Sequence, residues 1–125
     1  MKFFILFLLL LNLHLIADEK MLQASQYKNV QMDIGKGKPF FLEVGSDYCH
    51  SCQTMGKILY KVTQKYPEYN IHFINVQEER DAAKALQVMM IPTQIIYDKN
   101  GKEVYRHIGV LDADELTELF QKYSF

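Results

Sequence analysis

The sequence predicts an α/β domain whose mixed central sheet combines a parallel pair of strands with a C-terminal antiparallel hairpin, covered by helices on both faces. Three observations predict it. Apolar patterns follow one another as helix, strand, helix, strand, helix, strand, strand, helix. Two strands joined through a helix run parallel with a right-handed crossover. Asn100-Gly101 separates the last two strand patterns in the way a hairpin turn does. A length of 125 residues suits one domain.

The chain opens on an address. Lys2 is the one charged residue before Asp18, and an unbroken apolar run, Phe3 to Leu11, leads to a small residue at Ala17. A basic start, an apolar run and a small residue before a polar segment form a secretory signal. The run is shorter than the ~20 residues a membrane-spanning helix needs. Leu15 stands where cleavage at Ala17 favours a small side chain, so an uncleaved N-terminal anchor is the competing reading. The expected division is a signal peptide over 1–17 and one domain over 18–125, in an oxidising compartment such as the bacterial periplasm.

Residues 19–34 carry a helical pattern through Leu22, Ala24, Tyr27 and Val30, ended by the Gly35-to-Pro39 loop. Phe40 to Val44 is a short apolar run between turn-rich borders and reads as a buried strand. Met55, Ile58, Leu59, Val62 and Tyr66 form one stripe of an amphipathic helix, which Pro67 helps to end. Ile71 to Val76 is the second buried strand, and Glu78 to Leu86 a short helix. Thr93 to Tyr97 and Val104 to Ile108 are strands around Asp98-Lys99-Asn100-Gly101, whose Asn-Gly favours positive φ. Asp112, with Glu115 three residues on, caps a last helix whose buried face is Leu116, Leu119, Phe120 and Tyr123.

Composition narrows the function. Fourteen Lys and Arg against 15 Asp and Glu leave a formal net charge of −1, which excludes the basic footprint of a nucleic-acid binder. Two cysteines are too few for a disulfide scaffold, and a pair four positions wide closes almost no chain. Their role is chemical.

Cys49-His50-Ser51-Cys52 lies where a strand ends and an amphipathic helix begins. N–H groups at a helix start favour the thiolate, the reactive form of cysteine. Cys49 falls at that end, and Cys52 sits one turn further on the same face, within disulfide reach. The spacing suits a reversible dithiol in which Cys49 attacks a substrate disulfide and Cys52 resolves the mixed intermediate. His50 adds a partly positive neighbour. Three other readings stand beside it. Half a zinc site lacks its second cysteine pair, and His50, His72 and His107 have no ligand-like spacing. An inert disulfide gains little from so short a loop. A Cu(I) site would use both thiols with Met89 or Met90, since Cu(I) prefers soft sulfur.

With these residues in place the chain resembles the thioredoxin family over essentially the whole of 18–125. The resemblance rests on Phe40 to Val44 leading into Tyr48-Cys49-His50-Ser51-Cys52, on Met90-Ile91-Pro92-Thr93, on Lys99-Asn100-Gly101 and on Gly109. It implies a thioredoxin fold, with Cys49 as nucleophile and Cys52 as resolving thiol. It also implies a cis Pro92 and a substrate-binding rim of Tyr48, His50, Ile91, Pro92 and Thr93. Glu43 occupies the place of a buried acid that relays a proton for the resolving cysteine; burial raises a carboxyl pKa and makes it a usable acceptor. If their loop is exposed, Met89 and Met90 form an adaptable apolar lip for protein substrates, although Met89 fits a core position equally well.

Departures from the family are also plain. The chain has no Trp, and Gly45 and Ser46 fill the stretch where the family is Trp-rich. Phe73 stands in place of a lysine that accompanies the buried acid, and Lys57 near that of a helix-kinking proline. The expected protein is a monomeric exported thiol–disulfide oxidoreductase with no metal and no cofactor beyond the Cys49–Cys52 disulfide. Ile91-Pro92-Thr93 and the small single domain tilt it towards a reductase. Its partners are protein thiols and disulfides, no nucleic acid, and a membrane electron donor or acceptor.

Overall fold

A computed structural model describes residues 19–125, so the leader expected over 1–17 lies outside the described residues. The elements run α1 (Tyr27–Asp33), β1 (Phe40–Gly45), α2 (His50–Lys65), β2 (Ile71–Asn75), α3 (Arg80–Ala85), β3 (Thr93–Tyr97), β4 (Glu103–Ile108) and α4 (Ala113–Lys122). The four strands form one sheet in the order β2-β1-β3-β4. β1 pairs parallel with β2 and antiparallel with β3, and β3 pairs antiparallel with β4. Among the described residues no helix is long and apolar enough to cross a membrane.

All six residues of β1 are buried, as a central strand covered on both faces requires. Phe40, Leu42 and Val44 join Val30, Ile74, Ala82, Leu86 and Ile95 in one core layer, beneath α1 and α3. Phe41 packs on the other face with Met55 and Leu59 of α2, Ile71, Ile96, and Leu116 and Phe120 of α4. Glu43 alternates onto this second face, the face that carries α2. At the far end of α2, Tyr66 precedes Pro67 and leaves the helical region (φ −128°, ψ 72°), as a residue before proline tends to do. The expected cap of α4 is present: the Asp112 side chain accepts from the Glu115 N–H, and the Glu115 side chain accepts from the Asp112 N–H.

Three expectations need correction. The helix expected over 19–34 is confined to Tyr27–Asp33. Before it the backbone is extended: the Ser25 N–H donates to the Phe73 carbonyl at 2.7 Å, and the Leu22 N–H to the Gly56 carbonyl at 3.0 Å. The exposed edge of β2 offers unpaired backbone groups, and this segment satisfies some of them where a weak helix could not.

β3 is joined to β2 through a helix yet runs antiparallel to it. The direction is fixed by pairing: β1 lies between the two strands, parallel to β2 and hydrogen-bonded antiparallel to β3. β3 therefore starts at the end of the sheet where β2 finished, with Thr93 opposite Val44.

The hairpin, finally, turns on Asp98 to Gly101 as expected, but Asn100 does not share the positive φ that Asn-Gly favours. Asp98 exchanges backbone hydrogen bonds with Gly101 and Lys102, its side chain accepts from the Asn100 and Lys102 N–H groups, and Gly101 alone of the loop has positive φ (87°). This is the three-residue loop with a glycine bulge. Gly101 also lies against Gly35, where an added Cβ would come within 3.3 Å of the facing Cα.

Candidate active site

β1 delivers the chain to the carboxyl end of the sheet, and Ser46 to Tyr48 carry it across to α2. The crossing is held by polar side chains. Ser46 is buried and its Oγ accepts from the Tyr48 N–H at 3.1 Å. Asn75, at the end of β2, donates from Nδ2 to Asp47 Oδ2 at 3.1 Å, and Gln53 of α2 donates to the Asp47 carbonyl at 2.8 Å. Cys49 is thereby set as the N-cap of α2.

The two sulfurs occupy different surroundings. Cys49 is half-buried and Cys52 buried, and both are free thiols. The Cys52 N–H, one of the donors a helix start leaves without an internal partner, donates to Cys49 Sγ at 3.3 Å. Cys49 Sγ thereby plays the part of an N-cap acceptor at the start of α2. Burial, then its hydrogen bond to the Cys49 side chain, push the Cys52 thiol up to about 12, against an opposing hydrogen bond from the Ser46 backbone. One thiol is presented for attack and the other keeps its proton. Close packing accompanies this: a Cβ added at Gly45 would lie 3.0 Å from Cys52 Sγ and 3.2 Å from its Cβ.

Glu43 is 2% exposed, on β1 beneath this dithiol. Burial above all holds its carboxyl well above the usual carboxylate range, and charge on Cys49 adds to the effect. Gln94 opposes it, donating from Nε2 to both carboxyl oxygens at 3.2 and 3.4 Å. Repulsion from Glu43 contributes in turn to the rise at Cys52. Carboxyl and dithiol are thus within electrostatic reach of each other.

The remaining expected site residues fall on the rim. Tyr48 is 83% exposed and His50, the first residue of α2, is exposed. Ile91 is half-buried, whereas Pro92 and Thr93 are buried. The Ile91–Pro92 peptide is cis. Thr93 Oγ1 donates to the Met90 carbonyl at 2.6 Å, and the Gly109 N–H donates to the Pro92 carbonyl at 2.9 Å, tying this loop to the end of β4. Met89 and Met90 are 97% and 62% exposed, so neither is a core residue. Among the described residues no group of three or more His, Cys, Asp and Glu side chains is placed to hold a metal ion.

Sequence reasoning passed over Gln94, Asn75 and Ser46. The signal available for Gln94 was its polarity inside the otherwise apolar run of Thr93 to Tyr97.

A half-buried thiol at a helix N-terminus, over a second thiol that keeps its proton, defines a thiol–disulfide oxidoreductase. The comparisons with known proteins agree. The thioredoxin-like domain family matches residues 27–124, and the chain belongs to that family. A thioredoxin of Chlamydia pneumoniae is 33% identical over 79 residues, 63% of this chain and 76% of that one. A disulfide bond formation protein of Brevibacillus choshinensis is 33% identical over 82 residues, 65% of this chain and 70% of that one. The crystal structure of thioredoxin NaTrxh from Nicotiana alata superposes with a TM-score of 0.71 at 25% identity, covering 86% of this chain and 96% of that one. The protein is a thioredoxin-like protein-disulfide oxidoreductase.

Proposed function

We propose that the protein is exported, to the periplasm of a bacterial cell, and there reduces protein disulfides through the Cys49/Cys52 couple with no further cofactor. The observation that carries this reading is the asymmetry of the two thiols: Cys49 half-buried at the N-cap, Cys52 buried and holding its proton. Cys49 thiolate attacks a substrate disulfide, forming a mixed disulfide and releasing one substrate thiolate. Cys52 gives its proton to Glu43 and attacks Cys49 Sγ. The mixed disulfide breaks, the second substrate thiolate leaves, and two electrons have passed from the dithiol to the substrate. Tyr48, His50, Ile91, Pro92 and Thr93, with Met89 and Met90, form the surface on which the substrate segment lies.

Export is supported by Lys2, the Phe3-to-Leu11 run and Ala17, and the reductive direction by Ile91-Pro92-Thr93 in a small single domain. A reductant in an oxidising compartment needs a supply of electrons, so the recycling partner is a membrane electron donor, and the working form is a monomer.

Cys52→Ser is the test. The variant accumulates substrates as mixed disulfides on Cys49 that thiol reagents release; an absence of such adducts overturns the reading. Equilibration of the wild-type protein with glutathione then decides direction. A potential near the about −270 mV of thioredoxins supports reduction, and one near about −120 mV makes the protein an oxidant.

A further inference from the structure

The polar row behind the dithiol continues past Glu43. β1, β3 and β4 set Glu43 opposite Gln94, and Gln94 opposite His107. Gln94 is fully buried, with Nε2 given to the Glu43 carboxyl and Oε1 2.7 Å from His107 Nδ1. With the amide in this orientation Oε1 accepts, and the His107 tautomer that fits it carries its proton on Nδ1. His107 is half-buried on β4, in a groove that it shares with Tyr105, Leu111, Glu115, Glu118 and Lys122.

We propose that Gln94 and His107 are positioning residues for proton transfer from Cys52, because the His107-to-Gln94-to-Glu43 hydrogen bonds hold the buried carboxyl as an acceptor. A side-chain amide has two faces. With Nε2 towards Glu43 it donates, which favours the carboxylate that can take a proton. With Oε1 towards Glu43 it accepts, which favours the protonated acid that cannot. The His107 Nδ1–H chooses between them, since it bonds only to Oε1. His107 thus acts through Gln94, without touching sulfur or substrate. The opposite side of Glu43, where β2 places Phe73 in register, supplies an apolar neighbour, so Gln94 is the donor the structure gives this carboxyl.

The inference rests on Glu43 as the proton acceptor of the proposed reaction, and the experiment separates the two. The rate at which Cys52 resolves a mixed disulfide between Cys49 and a small fluorescent disulfide peptide is followed against pH, where the charged and titratable neighbours of Glu43 are Cys49 and Cys52, and those of His107 are Tyr105, Glu115, Glu118 and Lys122. Gln94→Leu raises the pH midpoint of resolution by about one unit, the size of a lost hydrogen bond to a charged group. His107→Phe raises it in the same direction, by letting the amide turn. His107→Asn, whose Nδ2–H stands where Nδ1–H stood, restores the midpoint. Should Gln94→Leu not fold, the His107 pair at the half-exposed end of the row decides alone.

If Glu43→Gln leaves the rate and its pH profile unchanged, Glu43 is not the acceptor and both readings fall. If Glu43→Gln slows resolution while the midpoint ignores His107→Phe, or His107→Asn shifts it as far as His107→Phe does, this inference falls and the proposed role of Glu43 survives.

Discussion

Gly45→Ala isolates the packing of the dithiol from its chemistry. Gly45 closes β1 and is not among the glycines with positive φ, so alanine fits its backbone. Restricting the unfolded chain would by itself stabilise the variant by about 0.4–1 kcal/mol. The added methyl group, however, meets Cys52 Sγ at 3.0 Å and Cys52 Cβ at 3.2 Å, with the Phe73 ring at 3.5 Å behind. Carbon contacts are optimal at about 3.5–4.0 Å, so a buried side chain must shift by several tenths of an ångström. Overpacking of this kind costs about 1–3 kcal/mol. The net expectation is a loss of about 1–2 kcal/mol, or a fall in Tm of about 5–10 °C in a domain of this size.

The two redox states should not suffer equally. In the dithiol the Cys52 sulfur can turn away, whereas in the disulfide it is tied to Cys49. The variant therefore favours the reduced state, and its reduction potential rises by about 20 mV for each kcal/mol of difference. Urea unfolding of both forms and equilibration with glutathione measure the two effects. A variant as stable as the parent in both states would refute the packing of Cys52 against the end of β1.

Glu43→Gln changes how stability depends on pH. The folded carboxyl holds its proton to higher pH than the unfolded one, so its contribution is complete below the unfolded value, about 4.3, and is lost as pH rises through the folded value. The variant should gain on the parent from pH 4 to 8 in paired unfolding curves, and a difference constant across that range would sink the argument. Iodoacetamide at pH 8 should give one adduct, on Cys49, because a thiol pushed up to about 12 is about one part in ten thousand thiolate there. Equal labelling of Cys49 and Cys52 in peptide mass spectra would contradict the asymmetry.

Much of this architecture can be read from local pattern. The stripe Met55, Ile58, Leu59, Val62 marks α2 because helical periodicity is a property of neighbours, and Asp112 with Glu115 marks α4 because a capping box closes within four residues. The cysteine pair at a strand-to-helix junction was legible for the same reason. Residues 19–26 were misread because their backbone partners, Gly56 and Phe73, lie far away in the chain. The direction of β3 was misread because it is set by antiparallel pairing with β1, a strand far away in the chain.

The sequence by itself determined the set of elements and a dithiol whose nucleophile stands at the start of a helix. Those are consequences of spacing over three or four residues. Only the tertiary structure decided that Glu43 is buried, that Gln94, 51 residues away, donates to it, and that His107 lies against the other end of that amide. Desolvation and strand register arise when distant segments pack, so the protonation of this site is written in the sheet rather than in the motif.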